Sequence, residues 1–345
     1  MKRPKIICLT PVKNEAWILD NFIKCASLWA DHIIIADQDS TDNTRKIAKK
    51  YSNVKLINNP YKGEYNEREV RRILIEEARK LRGPRVLISL DADEVLSPNF
   101  INSEEWQKVI FSKPGTVIKS KFVNIRPDMQ YYWNGPVEIV LGFSDDGSEY
   151  NADKIHTDRM IAPKKAPVFL LKDFKVMHFQ YTDWKRMESK HRWYQCWERI
   201  NNPNKSAIRI YRSYHHMYSV KKNELKKIPE NWFSYYLKLG INLRLINKEY
   251  NYYWDNIVLN YIKEYGANLF SKESIWNIDW VEKAKECGYK NFNNFKDPRN
   301  ILQKLLHWYL KKTQYYHDCM FIRGVDKILV DLGIFSGANV TQKFK

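Results

Sequence analysis

The 345-residue chain has no apolar run approaching the ~20 residues that cross a bilayer, so no membrane span is expected. Its five cysteines, Cys8, Cys25, Cys196, Cys287 and Cys319, are odd in number and scattered, with no CxxC pair. That excludes both a disulfide scaffold and a zinc module. No repeat of fixed period is visible. The N-terminal apolar stretch, Ile6 to Leu9, is too short for the core of a signal peptide, and the expected compartment is the cytoplasm. General disorder is excluded as well, because 44% of the residues are hydrophobic and can form a sizeable core.

What is abundant is positive charge, and it is unevenly placed. Lys and Arg number 58 against 40 Asp and Glu, a net charge of +18. Residues 1–150 hold 23 basic and 21 acidic side chains, whereas residues 151–345 hold 35 and 19. Of 49 aromatic residues, 34 lie in that second part. A near-neutral first part and a basic, aromatic second part imply two domains. The boundary falls at 182/183, where the strand-like pattern gives way to helical spacing. The second part is expected to meet something anionic, whether a membrane face, a phosphorylated ligand or nucleic acid.

The first part alternates strands and helices. Lys5 to Thr10, Asp31 to Ala36, Val54 to Ile57 and Arg85 to Leu90 read as buried strands. Between them, 15–29, 40–51 and 67–81 have helical spacing. The alternation predicts an α/β fold with a mostly parallel sheet and helices on both faces. Further strands are expected over 116–125, 138–143 and 168–181. Beyond that the pattern is helical, over 183–200, 206–228, 230–250, 254–265, 276–288 and 301–332.

Carboxylates gather where the strands end. Asp37 and Asp39 follow the second strand, and Asp91, Asp93 and Glu94 follow the fourth. In a parallel sheet these ends share one edge, which is where such sheets bind ligands. The pair in Asp91-Ala-Asp93 suits a hard divalent cation that also takes substrate phosphates. The competing reading makes both aspartates loop carboxylates that cap the next helix.

Three stretches together resemble the nucleotide-sugar-binding half of family 2 glycosyltransferases, which have the GT-A fold. They are Leu9-Thr-Pro-Val-Lys-Asn-Glu15, Ile33-Ile-Ile-Ala-Asp-Gln-Asp-Ser-Thr-Asp-Asn-Thr44 and Leu87-Ile-Ser-Leu-Asp-Ala-Asp-Glu94. The resemblance covers residues 5–100. It implies that Asp37 reads the nucleobase, that Asp91 lies near the ribose or the metal, and that Asp93 ligates a divalent metal on the diphosphate. It places Thr10, Pro11 and Glu15 in the nucleotide pocket, with Asp39 beside Asp37. Arg71 fits the family pattern as a phosphate contact, although a solvated helix face explains it equally. His178 stands where related enzymes bring a histidine to the metal; the alternative is a core histidine satisfied by a hydrogen bond.

The family's acceptor-side acid pair is not evident. Glu138, Asp153 and Asp158 are the candidates, with Asp158 preferred as general base and Glu138 next. From Trp184 to Tyr218, eight Lys and Arg side chains interleave with Trp and Tyr. A clamp for a donor or lipid-linked diphosphate, an anionic membrane face and a nucleic-acid stacking surface all fit this run. So does plain core aromatics with a solvated basic face. His191, His215 and His216 read as polar surface.

The expected protein has a GT-A domain over 1–182 and a basic, aromatic helical domain over 183–345 for acceptor, membrane or oligomer contacts. It is expected to use Mn²⁺ or Mg²⁺ and to move a sugar, with inversion, from a nucleotide-sugar donor, with UDP as the expected nucleotide, to a saccharide, lipid-linked or protein acceptor. Peripheral contact with an anionic membrane and a homo-oligomer fit the basic half; nucleic acid is disfavoured as a partner, for want of a recognition motif. A non-enzymatic polyanion-binding protein is the alternative of a different class. A sugar nucleotidyltransferase ranks lower, because Thr10-Pro-Val-Lys-Asn-Glu15 lacks the glycines of a phosphate loop.

Overall fold

In the computed structural model, which describes residues 3–59, 67–149, 165–246 and 252–334, the first apolar run becomes β1 (Lys5–Val12). Ile6 to Leu9 are all buried, because this strand lies inside the sheet with helices on both faces. Even-numbered residues Ile6 and Cys8 join one core with Phe22 and Ile23 of α1 (Leu19–Ala26). Odd-numbered Ile7 and Leu9 join the opposite core with Val70, Leu74 and Ala78 of α3 (Glu67–Arg79). The period of two along the strand thus sorts a continuous apolar run into two layers.

Strands β2 (His32–Asp37), β3 (Val54–Asn58) and β4 (Arg85–Ser89) are parallel to β1, in the order β3-β2-β1-β4. A short α2 (Thr44–Ala48) connects β2 to β3. Past β4 the chain forms β5 (Glu94–Leu96), α4 (Glu104–Ile110), β6 (Val117–Ile125) and β7 (Tyr131–Ser144). The sequence pattern gave no hint of β5 or α4. β7 runs antiparallel to both β4 and β6. Gly142 sits where β7 crosses Leu87, and a Cβ there would overlap the Leu87 carbonyl oxygen.

Two more short strands, β8 (Val168–Leu170) and β9 (Val176–His178), run parallel to β6. β5 then pairs antiparallel with β9, setting Glu94 opposite His178. The sheet is therefore a mixed one with a parallel core, and the α/β class is the observed class.

Two compact units divide the chain, Met1–Thr182 with Lys226–Lys248, and Asp183–Leu225 with Glu249–Lys345. The second begins with α5 (Trp184–Asn201) and α6 (Ala207–Tyr214). The chain then returns to the first unit through β10 (Lys226–Lys227), paired with Tyr131 and Tyr132 of β7, and α7 (Glu230–Lys238). Trp232, Phe233 and Tyr236 of α7 pack on Val95, Val123 and Met177. That apolar contact places α7 with the first unit. The expected helix over 206–228 ends at Tyr214 for the same reason, since Lys226 and Lys227 extend the sheet.

The second unit continues with α8 (Tyr253–Tyr265), α9 (Trp280–Glu286), α10 (Ile301–Thr313) and α11 (Met320–Asp331). The single helix expected over 301–332 is two helices. Buried Gln314 lies between them and donates to Ser219 Oγ at 2.8 Å and to the Arg212 carbonyl at 3.3 Å. No proline or glycine marks the break; tertiary hydrogen bonds set it. Among the described residues no helix is long and apolar enough to cross a membrane.

Candidate functional site

Parallel pairing sets Val12 opposite Asp37 and Leu9 opposite Ser89, so the loops after β1, β2 and β4 leave the sheet at one edge. Two of these loops are knitted together. Ser40 Oγ accepts from the Asn14 amide, Thr44 Oγ1 from the Glu15 amide, and Asp42 from the Ala16 amide, at 2.8–3.0 Å. Asn14 returns a bond by accepting from the Thr41 amide at 2.7 Å. Asn14 and Asp39 both have left-handed backbone, φ 54° and 53°, a conformation these two residue types tolerate. The exposed Asp39 follows from that turn, while Thr10 is fully buried and Glu15 accepts from Trp17 Nε1 at 2.5 Å.

Asp37 is completely buried at the end of β2. Its Oδ2 accepts from Arg45 Nη1 at 2.6 Å and from the Ser40 amide at 3.3 Å. Its Oδ1 is buried and has no hydrogen-bond partner among the described residues. An unsatisfied buried carboxylate oxygen costs about 1–3 kcal/mol or more, so a site that keeps one has a use for it.

Arg71 is buried on α3, and the solvated-face reading of it is corrected. It donates from Nη1 to Ser89 Oγ and from Nη2 to Asp91 Oδ1, both at 2.6 Å. The apolar neighbours Val70 and Leu74 carry the arginine inward, and the polar end of β4 satisfies it. Asp91 is half-exposed and its amide donates to Glu94 Oε2 at 3.0 Å.

The β5–β9 pairing carries Asp93 to His178. Asp93 Oδ2 lies 3.7 Å from His178 Nε2, and Glu94 Oε1 lies 4.0 Å from it. His178 Nδ1 is 3.1 Å from Asn124 Oδ1. With that amide oxygen as acceptor, Nδ1 carries the proton and Nε2 presents a lone pair toward Asp93. At 3.7 Å the two atoms are too far apart to hydrogen bond. Two lone-pair donors facing one another without a shared proton fit a divalent cation such as Mn²⁺, and Asn124 orients the ring from behind. Asp91 stands apart from this pair, because Arg71 holds it. Among the described residues no three His, Cys, Asp or Glu side chains are placed to hold a metal ion together.

Glu138 lies on β7 opposite Lys121 of β6, and no hydrogen bond joins it to Asp91, Asp93 or His178 among the described residues. Asp153 and Asp158 lie outside the described residues. Asn124, Arg45 and Ser89 escaped the sequence reading. Only Asn124 left a trace, as a polar residue between the apolar Val123 and Ile125.

The basic run from Trp184 to Tyr218 is largely consumed inside the second unit. Arg192 pairs with Asp255 at 2.9 Å and Arg199 with Glu273 at 2.6 Å, all four buried. Arg212 forks onto Asp326 with bonds of 2.9 and 3.0 Å. Trp193, Tyr194, Tyr211 and Tyr214 are core residues, so these four rings are not presented for stacking. His191 is buried as well, and burial, then His216 and His215, hold its pKa well below the usual value. Burial lowers His215 to about 4. His191 is thus a core group and not polar surface, His215 is half-buried, and His216 is exposed, as the sequence reading expects.

No curated protein matches the chain. Among solved structures, it is similar to glucosyl-3-phosphoglycerate synthase from Mycobacterium tuberculosis in complex with Mn²⁺, UDP and phosphoglyceric acid. That likeness has 19% identity over 34% of this chain and 43% of the other, with a TM-score of 0.26. A mannosyltransferase from Pyrobaculum calidifontis, in complex with GDP-mannose and Mn²⁺, is 18% identical over 37% of each chain, with a TM-score of 0.27. The chain thus spans about two-fifths of the length of these proteins. Residues 8–104, the segment that carries Thr10, Asp37, Arg71, Asp91 and Asp93, match the model of glycosyl transferase family 2.

Proposed function

We propose that the chain is a metal-dependent glycosyltransferase that moves a hexosyl group from a UDP-sugar to an acceptor hydroxyl with inversion. The observation that carries this reading is the open Oδ1 of buried Asp37, on the sheet edge that also presents Asp93 and His178. It gains support from the family 2 match over the same residues.

In this reading Asp37 Oδ1 accepts a hydrogen bond from the nucleobase, and Thr10, Pro11, Glu15 and Asp39 line the pocket. Arg71 fixes the Asp91 carboxylate near the ribose. Asp93 and His178 would hold Mn²⁺ or Mg²⁺, which when bound would neutralise charge on the leaving diphosphate. The bond from the anomeric carbon to the phosphate oxygen breaks as the acceptor oxygen bonds to that carbon. The acceptor proton passes to a carboxylate acting as general base, for which Glu138 and Asp158 are the candidates. The acceptor is a saccharide, a lipid-linked group or a protein, and the basic helical unit is assigned to acceptor, membrane or oligomer contacts.

A panel of nucleotide sugars with Mn²⁺, read as released nucleotide, tests the reading. One UDP-sugar is expected to be hydrolysed slowly without acceptor, and not after chelation. If no nucleotide sugar binds or is turned over with Mn²⁺, the proposal is wrong.

A further inference from the structure

The last two described helices, α10 and α11, are held down by one face only. Leu306 and Leu310 of α10 pack with Ala207, Ile208 and Tyr211 of α6, and Leu329 and Val330 of α11 pack against the same cluster. The opposite face of α10 carries Ile301, Leu305 and Trp308, at helical spacings of four and three. Ile301 is 79% exposed and Trp308 60%. On α11, Met320 is 89% exposed and Phe321 75%, and Ile328 and Leu332 continue the stripe. Large apolar side chains in such a row are costly to leave in water.

The charges around the stripes have one predominant sign. Lys304, Lys311 and Lys312 flank the α10 stripe, and Arg323 and Lys327 edge the α11 stripe, all exposed. The one acid on the inner side of α11, Asp326, is taken up by Arg212 and by Tyr309, whose hydroxyl donates to it at 3.0 Å. Of the acids in these helices only Asp331 is exposed. A second copy of the chain docked stripe to stripe would set five cations against five. An anionic bilayer complements both features, taking the apolar side chains among its acyl chains and the cations at its headgroups. Trp308 has the amphipathic ring that settles at that depth.

We infer that α10 and α11 form a docking face for an anionic phospholipid surface, on which the protein lies without crossing it. The inference does not depend on the proposed reaction. The test is flotation of the full chain with vesicles of phosphatidylcholine alone, or of a two-to-one mixture with phosphatidylglycerol. The protein is expected to float with the mixture at low salt, to release at high salt, and to ignore phosphatidylcholine. The double variant Trp308→Glu/Phe321→Glu is expected to lose tenfold or more in partition, on the order of the burial of two aromatic side chains. Because both side chains are exposed, its melting temperature is expected to be unchanged. The triple variant Lys304→Gln/Lys311→Gln/Lys312→Gln keeps the apolar stripe and is expected to lose on the order of a hundredfold at low salt. No flotation of the parent with the mixture overturns the inference. So does equal flotation of parent and variants, or a solution dimer that Trp308→Glu disperses, which would give the stripes to a second copy.

Discussion

Asp37→Asn separates a residue that waits for a ligand from one that holds the fold. The substitution keeps the shape and removes the charge. In the free protein two effects oppose each other. The Arg45 bond weakens, but Arg45 is about one-third exposed, and such a pair is worth about 0–1 kcal/mol. Against this, the unpartnered Oδ1 is no longer part of a buried anion, which relieves up to about 1–3 kcal/mol. The free variant is therefore expected to be at least as stable as the parent, within about 1 kcal/mol. Nucleotide binding responds differently, because a hydrogen bond to a charged group is worth about 1.5–3 kcal/mol. Its loss corresponds to roughly tenfold to hundredfold weaker UDP binding. Calorimetric titration with UDP, with and without Mn²⁺, reads the second effect; thermal denaturation reads the first. The loss is expected at both metal conditions, since the contact is to the base. A variant that melts several degrees lower yet binds UDP like the parent would make Asp37 a purely structural carboxylate and refute the reasoning.

The other two predictions concern the metal pair and an acid-sensitive turn. Asp93→Asn is expected to abolish the Mn²⁺ dependence of UDP binding, and Asn124→Ala, which frees the His178 ring, to lower Mn²⁺ affinity about 10–100-fold; unchanged Mn²⁺-dependent calorimetry in both variants removes the metal from this pair. Asp145 accepts from Arg79 at 2.9 Å and from Arg85 at 2.8 Å. Burial alone would raise its pKa, but those two guanidiniums and the Gly147 amide bring it below 3.8. A carboxyl held low in the folded state adds stability above its unfolded pKa and loses it as pH falls through the folded value. The parent's melting temperature is thus expected to fall below about pH 4. Asp145→Asn is expected to lower it at pH 7 and to flatten the acid limb, and parallel pH profiles for the two proteins would exclude this role.

The parallel half of the sheet was legible because every residue from Ile6 to Leu9 and from Ile33 to Ala36 is apolar, and only a strand covered on both faces uses such a run. The ends of β2 and β4 were legible because those runs stop at Asp37 and Asp91. What escaped is the antiparallel edge. β5 is three residues long and is defined by its partner β9, so no period can develop within it. Yet this pairing brings Asp93 within 3.7 Å of His178, although the two are 85 positions apart in sequence. The metal reading of His178 rested on resemblance, because a register between two three-residue strands leaves no signal in composition. Arg71 misled for a related reason. On a helix wheel it neighbours Arg68 and Arg72, but it also follows Val70, and burial was decided by the Ser89 and Asp91 acceptors at the far end of β4.

The charge of the second half was legible in amount and illegible in place. Composition counts a buried Arg199, matched at 2.6 Å by Glu273, equally with a solvated Lys311. In the low-dielectric interior an unmatched guanidinium is prohibitively costly. Two buried arginines of α5, Arg192 and Arg199, accordingly meet the acids Asp255 and Glu273, and a third, Arg186, lies over the Trp254 ring. Charge left over must lie where water or a partner solvates it, and the lysines of α10 satisfy that condition beside apolar groups that water does not solvate. The spacing of Ile301, Leu305 and Trp308 is that of an ordinary core-facing stripe, yet Leu306 and Leu310 occupy the inner face. Two apolar faces on one helix exceed what a single core can cover. Part of the excess of hydrophobic and positive residues in the second half therefore lies together, on the solvent side of α10 and α11.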